Sequence, residues 1–199
     1  MRRWFLCSLM LIWLLGSGVV QALTFRTVVL DPGHGGKDGG AAWYKQLEKQ
    51  HCLDVALRVE TLLKRRGLQV VMTRRTDRFV ELADRARMAN RYRSAVFVSV
   101  HFNANRNTRI RGVEVFYLSS RGKALGARIL SSMRTRLRTS SGRGLVRGNL
   151  KVLRETTMPA VVVEAGYMSN RTEAARIATA SHRQAIAEAI AAGILNARG

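Results

Sequence analysis

Thr27-Val28-Val29-Leu30-Asp31-Pro32-Gly33-His34-Gly35-Gly36 is a short, unbroken apolar run stopped by turn chemistry. Such a run reads as a strand buried on both faces and feeding a sharp turn. Working outward, residues 47–66 carry apolar positions at threes and fours (Leu53, Ala56, Leu57, Leu63), and Gly67 closes them as a helix. Residues 68–72 read as a strand, 81–92 as a helix, and 95–100 and 113–118 as strands. Residues 123–137 read as a helix, 140–148 as a basic Gly-rich loop, and Val152-Leu153 as a short strand. Pro159 precedes the last strong strand, Ala160-Val161-Val162-Val163, and residues 172–196 form a terminal helical region. Strands separated by helices of this length predict an α/β fold: a single-domain three-layer sandwich, its sheet mainly parallel, with helices on both faces. No repeat, low-complexity tract or linker divides the chain.

Composition sets the outer bounds. The 199 residues suffice for one domain with a real core, and 47% apolar with 24% charged residues excludes disorder as the default. The charge is unusual at +21, with 28 arginines among 34 basic residues against 13 acidic ones. Such a surface is drawn to polyanions, anionic cell-wall polymers included. Nucleic acid is not the expected partner, because aromatic residues are only 7% and do not interleave with the basic ones.

Residues 1–22 read as a secretory signal peptide. A short basic start (Arg2, Arg3) precedes an apolar core from Trp4 to Leu15 and small residues around Val20-Gln21-Ala22. The apolar core is shorter than the ~20 residues that span a bilayer, so cleavage after Ala22 is favoured over a retained anchor. That leaves 23–199 as the functional domain and Cys52 without an intramolecular partner. Its place in a helical apolar pattern reads as a small buried hydrophobe.

Three reactive side chains fall at the carboxyl ends of strands: His34 in the turn after the first, His101 directly after Val100, and Glu164 directly after Val163. Ligands of open α/β sheets bind at that rim. Glu48, in the first turn of the helix that follows His34, starts at the same rim, where the helix dipole favours its ionised form. Two histidines and a glutamate with one open position form a catalytic zinc ligand set, and a nearby carboxylate such as Glu164 can take the proton of a zinc-activated water. His51 and His182 lie inside helical patterns and read as surface residues.

These residues resemble a known family. The blocks Val29–Gly36, Glu48-Lys49, Ser99-Val100-His101-Phe102-Asn103-Ala104 and Val161–Asn170, in this order and approximate spacing, are similar to the zinc-dependent N-acetylmuramoyl-L-alanine amidases of the amidase type 3 group. The resemblance implies hydrolysis of the amide between the lactyl group of N-acetylmuramic acid and the L-alanine of the stem peptide. It makes one Zn²⁺ the cofactor, His34, Glu48 and His101 its ligands, Glu164 the catalytic residue, and peptidoglycan the substrate. Asn103 is a weaker candidate for orienting substrate. The setting implied is the periplasm or cell envelope, or outside a Gram-positive cell. Some relatives carry a long helix before the final glutamate strand that blocks the site until an activator protein arrives. Residues 140–159 are too few for it, so this chain is not expected to be held inactive by such an insert, and an activator protein stays open as a partner. Two readings compete: a cationic binder that kept the fold, with Arg143, Arg147, Lys151 and Arg154 on phosphates, and a zinc peptidase acting on stem peptides.

Overall fold

The computed structural model describes residues 22–199, so the signal-peptide reading of residues 1–22 lies almost wholly outside it. In chain order the elements are β1 (Thr27–Pro32), the two-residue strands β2 (Ala42–Trp43) and β3 (Gln46–Leu47), α1 (Glu48–Lys64), β4 (Gln69–Met72), α2 (Leu82–Ala89), β5 (Ala95–Asn103) and β6 (Glu114–Tyr117). They continue with α3 (Ser120–Arg136), β7 (Gly144–Arg147), α4 (Lys151–Glu155), β8 (Ala160–Tyr167), α5 (Arg171–Ile177) and α6 (Ala180–Ala197).

The large sheet has the order β4-β1-β5-β8-β6-β7. Its first four strands are parallel; β6 runs antiparallel to β8 and parallel to β7. The sheet is therefore mixed, with a parallel majority, and it carries helices on both faces. Side chains alternate across it, as a period of two requires. Val28, Leu30, Val96, Val98, Val100, Val161 and Val163 join residues of α1, α3 and α6 in one large core. Val29, Phe97, Ala160 and Val162 point the other way, onto Ala89 of α2 and Val152 and Leu153 of α4. That second layer is only two short helices.

Several local expectations are corrected. The loop at 140–148 contains β7, an edge strand on β6. Val152-Leu153 lies in a five-residue helix rather than a strand, because both side chains must reach the thin second core from one short segment. The terminal helical region breaks at Thr179, whose hydroxyl accepts from the His182 N–H and caps α6. His51 is buried rather than exposed: its Nε2 lies 2.9 Å from Gln46 Oε1 and its ring meets Phe102 edge-on. Cys52 is fully buried, as its pattern implied. Among the described residues no helix is long and apolar enough to cross a membrane.

Candidate metal centre and active site

Alternation also decides where chemistry can occur. β5 runs on to Asn103 and β8 to Tyr167, so His101 and Glu164 are within strands rather than after them, facing each other in register. Counting by twos from Phe97 and Val162 puts both on the thinly covered face, beyond the reach of the second core. Glu114 of β6 is the next partner in register with Glu164. One face of one sheet end thus carries a histidine and two carboxylates side by side.

His34 and Glu48 join them from the loop after β1. His34 Nε2 and His101 Nδ1 each lie 3.0 Å from Glu48 Oε1, and one donor atom from each of the three residues lies within 4.8 Å of the others. The Phe102 N–H also donates to that oxygen, at 3.0 Å, and the Ala41 N–H holds Oε2 at 2.9 Å. On the far side of its ring, His34 Nδ1 meets Asp38 Oδ2 at 2.8 Å. A carboxylate behind a ligand histidine fixes its tautomer and orientation.

These donors fit a metal ion. Two imidazole nitrogens and one carboxylate oxygen, with no sulfur, suit zinc. Donors bonded at 2.0–2.2 Å to one tetrahedral ion lie about 3.3–3.5 Å apart; the two imidazole–carboxylate separations of 3.0 Å are a little shorter, and the whole set, within 4.8 Å, is a little wider. Burial lowers the pKa of both imidazoles, but the Glu48 carboxylate outweighs it and leaves them raised. Burial likewise opposes charge on Glu48, yet the two imidazoles hold its carboxyl far below the usual range. The centre is built to surround one carboxylate with positive charge, which a dication held by neutral imidazoles also provides.

Two buried arginines hold the loop that presents His34. Arg74 donates to the Pro32 carbonyl at 3.0 Å, to that of Gly33 at 2.6 Å and to that of Lys49 at 2.9 Å. Arg85 donates to the carbonyls of Pro32 and His34, both at 2.7 Å, and pairs with Asp31 at 2.8 Å. Asp31 takes further bonds from Thr73 and Ser99. Lys49 reaches the Gly36 carbonyl and Asp77 from α1. This fastening supports an uncommon backbone, since His34 has φ +57°. Asp38, Arg74, Arg85 and Asp77 were not singled out from the sequence; only Asp38, a carboxylate four residues past a candidate ligand, carried a local signal.

Gly33 gives a sharp test of this packing. A Cβ there would lie 2.3 Å from His101 Cε1, against the face of the ring. Gly33→Ala is expected to push the imidazole off its line and weaken metal affinity by at least about tenfold, since misplacing even an outer-shell partner costs 10–100-fold. Metal titration of the purified variant checks this; an unchanged dissociation constant would refute the contact.

Glu164 is set apart from the ligand group. Its Oε2 is buried and takes no hydrogen bond from any described residue. Burial, opposed by His101 and assisted by Glu48 and Glu114, pushes its carboxyl up to about 7. A carboxylate so placed can take a proton and return it near neutral pH.

Glu114 is wholly buried, and its charge is answered elsewhere. Burial pushes its carboxyl up, but Arg143, bonding both oxygens at 3.0 and 2.7 Å, and the Tyr167 hydroxyl at 2.6 Å hold it below the usual range. Arg75 and Lys64 do the same for Glu60, again against burial. A carboxyl whose pKa is lower in the folded chain stabilises above its unfolded value of about 4.3, and that stabilisation is lost as pH falls through the folded value. The melting temperature should therefore fall on acidification from about pH 6 to about pH 3.5, less steeply in Glu114→Gln. A thermal melt series that rises over this window would contradict the assignment.

Comparison with known proteins agrees with this geometry. A family model described as N-acetylmuramoyl-L-alanine amidase matches residues 28–196. A probable cell wall amidase, LytH of Staphylococcus epidermidis, is 37% identical over 172 residues, 85% of this chain and 57% of that protein. The chain thus spans less than two thirds of such curated relatives. Among solved structures, the amidase AmiC2 of Nostoc punctiforme superposes with a TM-score of 0.82 at 40% identity, over 85% of this chain and 95% of that one. The catalytic domain of CwlV from Bacillus (Paenibacillus) polymyxa var. colistinus does so at 0.82 and 39%, over 86% and 97%.

Proposed function

The chain belongs to the N-acetylmuramoyl-L-alanine amidase family, and on that premise we propose that it is a zinc-dependent peptidoglycan amidase that cuts between the lactyl group of N-acetylmuramic acid and L-alanine. The observation that carries this reading is the convergence of His34, Glu48 and His101 beside a free, buried carboxylate oxygen on Glu164. His34, Glu48 and His101 hold the ion, and zinc bound there supplies Lewis acidity to an amide carbonyl and acidifies water. Glu164 takes the proton of the attacking water and returns it to the departing amine of L-alanine, so the carboxylate is regenerated. Asp38 keeps His34 in the binding tautomer. Asn103 would orient substrate only by giving up a bond within the fold, since its oxygen accepts from the Ala104 N–H at 2.8 Å and its amide nitrogen donates to Glu114 at 3.5 Å.

Residues 1–22 act as an export signal and 23–199 as the catalytic domain, at work in the periplasm or cell envelope. The names of the cell wall relatives support that setting. Between β7 and β8 stands only the five-residue α4, so no long helix inserted there blocks the site. Digestion of purified sacculi by residues 23–199 tests all of this, with a chelated sample as control. Release of intact stem peptides bearing new L-alanine amino termini is the expected result. Cleavage within the stem would indicate a peptidase, and activity appearing only with a partner protein would overturn the reading of an unblocked site. The basic surface holds the enzyme to anionic wall polymers, so retention on sacculi should fall steeply with added salt; retention indifferent to salt would refute that.

A further inference from the structure

Beside the catalytic face lies a cavity of 520 Å³ that the reaction above does not use. It begins one strand beyond Glu164: Glu114, Asn103 and Tyr167 line its near side, and Arg109, Arg111 and Arg143 are among the residues that close it. We propose that this cavity is a carboxylate-binding subsite that selects stem peptides with a free acid group a residue or two past the scissile amide.

The charge balance of its lining is the first argument. Its one acid, Glu114, is satisfied by Arg143 and the Tyr167 hydroxyl. Arg109 and Arg111 make no side-chain hydrogen bond or ion pair with any described residue; Arg109 donates only its backbone N–H, to Asn107 Oδ1. The cavity is therefore lined by two arginines without an ion pair among the described residues, although Arg111 also acts on Glu173, and guanidinium is the side chain best matched to a carboxylate.

The second argument is that the loop carrying them is fastened rather than loose. The Asn105 N–H donates to Ser169 Oγ at 2.9 Å, Asn170 Nδ2 donates to the Thr108 carbonyl at 2.8 Å, and the Gly112 N–H donates to Glu173 at 2.9 Å. Gly112 and Gly142 pack backbone to backbone: a Cβ on Gly112 would lie 2.1 Å from the Ser141 carbonyl carbon, and one on Gly142 2.5 Å from the Val113 oxygen. Both have positive φ, so the contact requires glycine twice. Two exposed arginines are thus held on a rigid rim, and their ordering cost on binding is reduced.

Reach is the third. Adjacent strands lie about 4.8 Å apart, and an extended peptide advances about 3.4 Å per residue. A chain leaving Glu164 across β6 reaches the near edge of the cavity within one or two residues. Only naming the ligand as a stem peptide rests on the amidase reading; an acidic peptide of any origin meets the same groups.

The test measures binding, so that it stands apart from catalysis. A muramyl peptide with a free carboxylate on its second residue and the same peptide amidated there are titrated against metal-loaded Glu164→Gln. The free acid is expected to bind about tenfold more tightly or better, and the paired change Arg109→Gln with Arg111→Gln should bring the ratio near one. Equal affinities for the two peptides would overturn the assignment. So would a poly(glycerol phosphate) chain that binds more tightly than the acid peptide through the same two arginines, in favour of a wall polymer. If the preference is found and wild-type protein cleaves neither peptide, the subsite stands and the amidase reading falls.

Discussion

Replacing Glu48 with alanine is expected to take bound zinc from one ion per chain to below about a tenth, and amidase activity to background. The size follows from what converges on that carboxylate. Oε1 faces both imidazoles and the Phe102 N–H, and Oε2 holds the Ala41 N–H. Losing an outer-shell partner of a metal ligand costs about 10–100-fold in affinity, so losing an ionised ligand costs more. A graded pair sharpens the test. Asp38→Asn removes only the charge behind His34 and should weaken binding within that 10–100-fold range, with the fold unchanged by circular dichroism. Zinc stoichiometry and dissociation constants measure both. Full zinc occupancy in a folded Glu48→Ala protein would remove Glu48 from the ligand set.

The second large effect is kinetic and leaves the metal in place. Glu164→Gln should lower kcat by about 10²–10⁴-fold, the usual share of general acid–base catalysis, with one zinc retained per chain. Glutamine keeps the shape of the side chain but cannot accept the proton. Glu164 is not among the three donors that meet at 4.8 Å, so its loss should not empty the site. Single-turnover rates with metal analysis separate the roles. A rate within tenfold of wild type would exclude Glu164 as the base, and a simultaneous loss of zinc would make it a ligand.

Much of the architecture was open to reading because its strongest strands sit at the centre of the sheet. β1, β5 and β8 are buried on both faces, so each appears as a run of Val, Leu, Phe or Ala, broken in β5 only by the buried Ser99. A site at the strand ends must lie close to where these runs stop: His101 and Glu164 directly follow Val100 and Val163, and His34 comes two residues after β1 ends at Pro32. Edge elements were harder. The β2–β3 turn uses Tyr44 and Lys45, both at positive φ, where a tight hairpin ordinarily advertises itself with Asn-Gly. β7 borrows its order from β6, and its own glycines and arginines read as loop.

What the sequence alone determined was the class of fold, the place of its central strands and four candidate residues for the chemistry, because burial on two faces and turn chemistry are written in neighbouring residues. Tertiary structure decided which face those residues share, that β6 reverses direction so that Glu114 stands beside Glu164, and that Arg74 and Arg85 reach back to hold the His34 loop. The arginine bonds to residues 31–34 alone join positions 41 to 54 apart in the chain. Their energies come from desolvated charges finding partners across the fold, and no local pattern of side chains can specify that pairing.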